Sequence, residues 1–258
     1  MLIERVLAGN PGPYTGPGTN TWLLDDGFGN VAVIDPGPVD PRHRDEVMAK
    51  IADRTAVMVL VTHTHPDHAP LANPLARELG APAIGYSAGP EFEPDLVVED
   101  RSQLGIGALR LEVIHTPGHS VDHLCFLVDD VLFTGDHIMG GSSVMVEDMG
   151  SYLRSLARLR GLGLTRLHPG HGDDMDEPDA VIDWYIAHRR QRHEQIYEAI
   201  AGGASTIPEI VETVYADVDR SLHPLAARSV SAHLELLREE GRIALTGNGP
   251  TLIPPRPR

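Results

Sequence analysis

The chain has 258 residues, 41% of them hydrophobic and 22% charged, a composition that excludes a disordered or fibrous protein. With 37 acidic and 21 basic residues the formal net charge is -16, which repels polyanions and disfavours duplex DNA as a partner. The single cysteine, Cys125, excludes an intramolecular disulfide. The sequence contains neither a basic segment followed by an apolar run at its start nor about 18 consecutive apolar residues, so we expect a cytoplasmic protein without a membrane segment.

The first third of the sequence predicts three short strands separated by turns rich in Gly, Pro and Asn, at 2–8, 19–24 and 30–35. A helix is predicted to begin at Pro41, because proline is favoured early in helices and apolar residues follow at helical spacing. The β-branched run "AVMVLVT" at 56–62 is typical of a strand buried on both faces, and residues 70–79 after it favour a helix.

The middle of the chain repeats this alternation of strand and helix signals. Strands are predicted at 109–115, 123–128 and 131–135, a helix at 149–163 and a further strand at 166–172. Strands followed by helices, twice over, predict an α/β (α+β) protein in which helices cover sheets.

The last third is almost entirely helical in pattern, with helices predicted at 180–203, 206–215 and 224–241 and a closing hairpin at 242–254 around a Gly-Asn-Gly turn. Three helices and a hairpin resemble a winged-helix module. Glu235, Glu239 and Glu240 give its third helix acidic character, so we prefer a structural or substrate-covering role to duplex recognition. The predicted organisation is a core at 1–175, a linking helix at 177–201 and a winged-helix-like domain at 203–258; the oligomeric state stays open.

The segment "VTHTHPDH" places His63, His65, Asp67 and His68 within six positions at the end of a predicted strand. Residues two apart in an extended chain share a face, so His63 and His65 can bind one ion. Pro66 then bends the chain, which aims Asp67 and His68 at a neighbouring point. Such dense polar side chains beside a buried strand would be costly without a ligand, and we therefore predict a metal site.

Three further candidate ligands each follow a strand-like run and a glycine: His119, Asp136 and His171. Glycine allows the backbone to turn sharply and to approach a crowded site closely. Four strand ends with seven potential ligands favour a pair of ions. Zinc is our first choice, and manganese or iron also suits a nitrogen and oxygen site without thiolate.

The segments "VIDPG", "THTHPDH", "TPGHS", "TGD" and "PGHG" occur in the order found in the metallo-β-lactamase-fold hydrolase superfamily, which the chain resembles from about Met1 to Asp174. The resemblance implies an αββα sandwich with a binuclear site at the strand ends. It assigns His63, His65 and His119 to one ion, Asp67, His68 and His171 to the second, and Asp136 to both as a bridge. Asp35 of "VIDPG" would support the site from behind.

A narrower resemblance covers nearly the full length. The segments "NPGPYTGPGTNTWLL", "TPGHSVDH" and "GDHIMGGSSVMVEDMGSYLRSL", with the winged-helix-like tail, are similar to the β-lactamase-like protein 2 group, whose characterised animal members are mitochondrial single-stranded-RNA endonucleases. The chain departs from that group in lacking a visible mitochondrial presequence and in its charge. The bridging Asp136 is typical of thioesterase and nuclease branches rather than dedicated β-lactamases, so β-lactam hydrolysis would be a side activity.

These features predict a hydrolase in which two ions lower the pKa of a shared water and a bridging hydroxide attacks the substrate. Asp136 would set the metal pair and Asp67 would orient the water. Two substrate classes remain open: a small thioester or ester-type acyl group, as in glyoxalase II, and single-stranded RNA. A third hypothesis is a winged-helix DNA-binding regulator with a vestigial core, which a degraded ligand set would favour.

Residues that could face a substrate are less well defined by the sequence. The candidates are Tyr14 in the "PGPYTGPGT" loop, Ser142 and Ser143 after a Gly pair, and His188, Arg189, Arg190 and Arg192. Arginine suits phosphate or carboxylate, but a solvated surface role fits each of these residues equally well. His123 and His137 lie near candidate ligands in the sequence and could line the site or pack in the core.

Overall fold

The computed structural model describes residues 1–140, 144–246 and 249–253. The chain divides into two compact units, which are described separately. The core unit comprises 1–117, 122–144 and 161–179, and the C-terminal unit comprises 118–121, 145–160 and 180–258.

The first sheet of the core unit contains β1 to β6 in sequence order: β1 (Leu2–Leu7), β2 (Asn20–Asp25), β3 (Asn30–Ile34), β4 (Thr55–Leu60), β5 (Ala83–Gly85) and β6 (Leu96–Val97). The pairs β1–β2 and β2–β3 are antiparallel, and β3 to β6 run parallel. Parallel strands need crossovers, and helices α1 (Pro41–Ile51) and α2 (Ala72–Leu79) supply two of them. The Asp40 side chain caps α1, and Gly80 ends α2 in a left-handed conformation.

The second sheet contains, in neighbour order from β12 back to β7, β12 (Met175–Asp176), β11 (Arg166–Pro169), β10 (Val131–Gly135), β9 (Leu124–Val128), β8 (Leu109–His115) and β7 (Gln103–Ile106). Its strands pair antiparallel except for β10 and β11, which are parallel. Consequently β8, β10 and β11 all end at the same edge of this sheet.

Alternation along the strands builds two apolar layers in the core unit. Leu60 and Ile84 of the first sheet share one buried cluster with Leu111 and Phe126 of the second. Val59, between the inward-facing residues of β4, packs instead in the cluster on the opposite face of the first sheet, to which α1 and α2 contribute. Strand β4 is therefore buried on both faces, as its continuous β-branched run predicts.

The two sheets are joined where β4 ends. The backbone amide of Leu124, at the start of β9, donates to the carbonyl oxygen of Thr62 at 2.7 Å. Because β9 is antiparallel to β8 and β10, this bond places the carboxyl ends of β4, β8 and β10 at one common edge. Every candidate ligand in the core unit follows a strand that ends there.

The C-terminal unit has a core of its own. It contains α3 (Met149–Leu159), most of α4 (Pro178–Ala201), α5 (Ile207–Val214), a 3₁₀ turn at Arg220–Leu222, α6 (His223–Glu239) and the hairpin β13 (Ile243–Thr246) and β14 (Gly249–Leu252). Ile196, Val211, Val230 and Ile243 share one apolar cluster. A reciprocal capping box of Thr206 and Glu209 begins α5.

The long predicted elements all occur near their predicted positions, which confirms the mixed α/β class. The sequence did not predict the short strands β5, β6, β7 and β12, because two to four residues carry too little periodicity. Residues 247 and 248 of the Gly-Asn-Gly turn lie outside the described residues. Within the described residues, none of the helices has the length and apolar character needed to cross a bilayer.

Candidate metal centre

Asp35, directly after β3, is the anchor of the site. Its φ of 50° is left-handed, which is unusual for a residue other than glycine and marks a conformation held by its surroundings. The carboxylate accepts three hydrogen bonds: from the Thr62 amide at 2.7 Å, from the Thr62 hydroxyl at 2.7 Å and from His68 Nδ1 at 2.9 Å. Because Nδ1 of His68 faces Asp35, Nε2 of the same ring faces away from this carboxylate.

Thr62 extends this support to His63. The hydroxyl donates to Asp35, so it accepts from His63 Nδ1, 3.0 Å away. Nε2 of His63 then carries the lone pair and lies 2.9 Å from Nδ1 of His65. One buried carboxylate therefore fixes the tautomer of two candidate ligands, as outer partners of metal-binding histidines commonly do. Asp35, which we expect to support the site from behind, contacts His68 directly and His63 through Thr62.

Four candidate ligand atoms converge beside Asp35: Nε2 of His68, Nε2 of His171, Oδ2 of Asp67 and Oδ1 of Asp136. The two imidazole nitrogens are 3.2 Å apart. His68 Nε2 lies 3.5 Å from the Asp67 oxygen and 3.4 Å from the Asp136 oxygen. The corresponding distances from His171 Nε2 are 3.1 and 3.3 Å.

These spacings fit a bound metal ion. Zinc ligands about 2.0–2.2 Å from the metal in a tetrahedron are separated from one another by roughly 3.3–3.6 Å. The five distances above fall on or just below that range. His63, His68 and Asp136 form another group in which one ligand atom from each lies within 4.8 Å of the others. Neutral imidazole and carboxylate donors suit zinc, manganese or iron.

The strand end at β10 holds Asp136. Gly135 has a φ of +47°, and a Cβ there would lie 2.7 Å from the Thr62 hydroxyl oxygen and 2.8 Å from His123 Nε2, so a larger residue cannot be accommodated. The Asp136 amide donates to His123 Nε2 at 3.1 Å, and His123 Nδ1 lies 2.9 Å from Thr116 Oγ1. His123 is thus a buried bridge from Thr116 to the Asp136 backbone.

The loop after β11 holds His171. The backbone amide of Asn20, at the start of β2, donates to the Gly170 carbonyl at 2.8 Å. The Asn20 side-chain amide donates to the carbonyls of Pro169 at 3.0 Å and Gly172 at 2.8 Å. His171 Nδ1 donates to the Gly18 carbonyl at 3.1 Å, which leaves the lone pair on Nε2. The "GPGTN" loop therefore orients a candidate ligand that is 153 positions away from Gly18 in the sequence.

The charges of the cluster shift the pKa values of its members strongly. Burial favours a neutral His68, but Asp136, Asp67 and Asp35 outweigh burial and raise the pKa of His68 well above its usual range. The pKa of His171 rises to about 9, because Asp136 and Asp67 outweigh the effect of burial. Burial would raise the pKa of Asp67, but His68 and His171 lower it to about 2. The carboxylates of the cluster thus favour positive charge beside the two histidines, in a place that also suits a divalent ion.

His119 lies in the C-terminal unit. Its Nδ1 is 2.7 Å from the carbonyl oxygen of Met145, so Nδ1 donates and Nε2 carries the lone pair. The preceding Gly118 has a φ of +142°, and its carbonyl oxygen accepts from the amides of Glu147 and Asp148 at the start of α3. This local arrangement gives His119 the tautomer that a metal ligand requires.

The candidate substrate residues differ in their surroundings. Tyr14 is 55% exposed. His188 stacks on Trp184, with ring centroids 5.1 Å apart, and burial followed by Arg189 and Arg192 lowers the pKa of His188. Arg189 is buried, with its guanidinium 5.4 Å above the Tyr152 ring. The predictions for Ser142 and Ser143 fall outside the described residues.

Sequence reasoning missed several supporting residues. Thr62 and the Gly18 carbonyl orient candidate ligands and Thr116 holds His123, yet none of the three carries a metal-binding side chain. Only the position of Thr62, directly before "HTHPDH", could have suggested its part. Arg192, considered as a cleft residue, donates instead to the Val214 carbonyl at 2.7 Å within its own unit.

Comparison with known proteins gives a consistent family assignment. Residues 206–249 match the β-lactamase associated winged helix domain. A β-lactamase-like protein 2 homolog of Drosophila melanogaster is 29% identical over 264 residues, covering 95% of this chain and 90% of the relative. An atrochrysone carboxyl ACP thioesterase of Aspergillus fumigatus is 33% identical over 234 residues, covering 83% and 73%.

A solved structure shares the fold over almost the whole chain. A metallo-β-lactamase family protein of Thermus thermophilus has a TM-score of 0.82 at 22% identity and covers 97% of this chain and 98% of its own. The αββα class, the winged-helix domain and the similarity to the β-lactamase-like protein 2 group, all predicted from the sequence, are confirmed. Residues 14–171 match the metallo-β-lactamase superfamily, and the chain belongs to that family of metal-dependent hydrolases.

Proposed function

We propose that the protein is a binuclear metallohydrolase that cleaves acyl thioesters. The observation that carries this proposal is the convergence of His68, His171, Asp67 and Asp136 at ligand-to-ligand distances of 3.1–3.5 Å. Structural histidines are satisfied by donors and acceptors of opposite kind, whereas here two imidazole lone pairs and two carboxylates face one point. Only a cation or bound protons can occupy that point favourably.

In the proposed site His63, His65 and His119 would hold one zinc ion, Asp67, His68 and His171 would hold the second, and Asp136 would serve both. Bound zinc supplies Lewis acidity and lowers the pKa of water into the neutral range. The Asp67 carboxylate, which lies 3.1 Å from His171 Nε2, would also orient the attacking water. Asp35 and Thr62 hold His63 and His68 in place while charge develops on the substrate oxygen.

A thioester is favoured over RNA for two reasons. The curated relatives include proteins named atrochrysone carboxyl ACP thioesterase, at 30% and 33% identity. The net charge of -16 opposes a polyanionic substrate unless a local basic groove offsets it. The regulator hypothesis predicts a degraded ligand set, and all seven predicted ligands are present in the sequence.

The test is hydrolysis of acyl-N-acetylcysteamine thioesters by zinc-reconstituted protein, followed through the released thiol, with Asp136→Ala as the matched control. Thiol release by the wild type that the variant lacks supports the proposal. Cleavage of labelled single-stranded RNA without thiol release would replace it by the nuclease hypothesis. Metal-independent binding to duplex DNA at about 200 mM salt would favour the regulator instead.

A further inference from the structure

The inward face of the first sheet continues past the buried core at the edge that carries the candidate ligands. Leu60 of β4 and Ile84 of β5 are register partners and both lie in the cluster between the sheets. Side chains two positions further along a strand share the same face, so Thr62 and Tyr86 are the next inward positions. Tyr86 packs partly on the same cluster and remains half-buried.

The second sheet contributes a matching residue. Leu111 and Val113 of β8 face the core between the sheets, which makes His115 the next inward position on that strand. His115 is the register partner of Leu124, and Leu124 donates to Thr62 of the first sheet at 2.7 Å. His115 and Tyr86 therefore lie next to the junction of the two sheets, one strand away from it on each side.

Tyr86 and His115 form a stacked pair at this position. Their ring centroids are 4.2 Å apart and their planes differ by 9°. The His115 amide donates to Asp100 Oδ1 at 2.9 Å, which fixes the strand end. The loop after Tyr86 is held against the ligand segment, because a Cβ on Gly89 would lie 2.4 Å from Cβ of Thr64, between His63 and His65. The stack thus flanks the His63 and His65 side of the cluster.

We propose that the Tyr86–His115 stack is the wall that receives the acyl group, and that it selects planar aromatic or conjugated acyl groups over flexible aliphatic ones. This inference rests on the proposed thioesterase function. Stacking of flat rings on flat π systems gains free energy beyond that of the buried area alone. A half-buried stacked pair is already ordered, so binding does not have to immobilise a flexible side chain.

The acyl group, rather than the thiol group, suits this wall. The reacting carbonyl must lie at the candidate ligands, so the atoms bonded to it fall next to the side chains that flank them. The thiol arm of an acyl carrier or of N-acetylcysteamine is flexible and polar, and it gains little from stacked rings. A planar acyl group complements the stack in both shape and polarity.

The experiment compares two thioesters, 2-naphthoyl- and octanoyl-N-acetylcysteamine, by their kcat/KM ratio in the zinc-loaded protein. Three variants accompany the wild type: Tyr86→Leu, Tyr86→Phe and Phe28→Leu. Phe28 is 83% exposed in the turn between β2 and β3, at the opposite end of the strands, and serves as the matched aromatic control. Tyr86→Leu should reduce the naphthoyl preference about 2- to 10-fold, while Tyr86→Phe and Phe28→Leu retain it.

An unchanged ratio in Tyr86→Leu, or an equal loss in Phe28→Leu, would overturn the inference while leaving the thioesterase proposal intact. If no thioester is hydrolysed, the proposed function fails and binding decides the inference separately. The inert thioether S-(2-naphthylmethyl)-N-acetylcysteamine, titrated calorimetrically, should bind the wild type more tightly than Tyr86→Leu by a similar factor. Equal affinities of the wild type and Tyr86→Leu for this thioether would contradict the proposed role of the stack.

Discussion

Two pairs of buried histidines in this chain have the same nitrogen-to-nitrogen distance and opposite chemistry. In the core unit, Nε2 of His68 and Nε2 of His171 are 3.2 Å apart; in the C-terminal unit, Nδ1 of His193 and Nδ1 of His233 are also 3.2 Å apart. Charge raises the pKa of both core histidines. Burial, and then His193 and Arg189, lower the pKa of His233 to about 3.

The difference lies in where the second nitrogen of each ring points. His193 Nε2 donates to Glu240 at 3.0 Å, so its Nδ1 can accept from His233, and this pair forms a chain of donors and acceptors. His68 and His171 donate from Nδ1 to Asp35 and to the Gly18 carbonyl, so both lone pairs face each other among carboxylates. Proximity of histidines alone does not indicate a metal site, whereas convergence of lone pairs favours one.

The largest expected effect follows from removing a candidate metal ligand. We expect His65→Ala and Asp136→Ala to lower kcat/KM by roughly 10³-fold or more, as loss of a cooperating catalytic group does, while the fold stays largely intact. Steady-state thiol release and far-UV circular dichroism check this prediction. Activity equal to that of the wild type in either variant would contradict the binuclear assignment.

Metal removal should change the thermal midpoint differently in variants of the two histidine pairs. A ligand at about 100 times its Kd stabilises the folded state by about 2.7 kcal/mol, so chelation should lower the thermal midpoint of the wild type by several degrees. The chelator should lower the thermal midpoint of His171→Ala by less than that of the wild type. It should lower the midpoint of His193→Gln by as much as that of the wild type. Differential scanning fluorimetry with and without a chelator measures both. A full shift in His171→Ala would place the bound metal elsewhere.

The support behind the ligands should matter for affinity. Asp35→Asn weakens the charged partner of His68 and disturbs the link through Thr62, so we expect zinc affinity to fall about 10- to 100-fold. Competition with a chromophoric chelator gives the affinity. Asp40→Asn, at the cap of α1, is the matched control and should leave the affinity unchanged. If both variants bind zinc like the wild type, Asp35 has no supporting role.

The last prediction concerns the structural pair and leaves activity at neutral pH unchanged. Because its folded-state pKa is lowered, His233 contributes stability that is present above its unfolded pKa near 6.5 and is lost as the pH falls toward about 3. Within that window its share of the slope approaches about 1.4 kcal/mol per pH unit. We expect His233→Gln to have a shallower loss of stability between about pH 6.5 and 4.5, measured by urea unfolding. Parallel curves for the two proteins would refute this.

The sequence predicted the long elements and pointed to the candidate ligands, because strong periodicity and dense polar motifs are local signals. "VTHTHPDH" alone pointed to a site at the end of β4, whereas the resemblance to a known family implied the supporting role of Asp35 in "VIDPG". The resemblance to a known family supplied the pairing of distant segments such as His68 with His171. No local pattern could have supplied it, since 103 positions separate these residues.

Other features depend on contacts that no local pattern encodes. The left-handed Asp35, the relay through Thr62 and the bridge by His123 all arise from packing between strands. Tyr86 follows a strand of three residues, and its stacking partner His115 lies on the other sheet. Such pairings require the register of both sheets, which the amino-acid pattern alone leaves open.

The central claim is most directly tested by titrating zinc into metal-free protein while measuring thioester hydrolysis and bound metal by mass spectrometry. We expect activity to be absent without metal, to rise with added zinc and to level off at two ions per chain, with Asp136→Ala inactive throughout. Full thioesterase activity in the metal-free protein, or no zinc bound at saturation, would contradict the account.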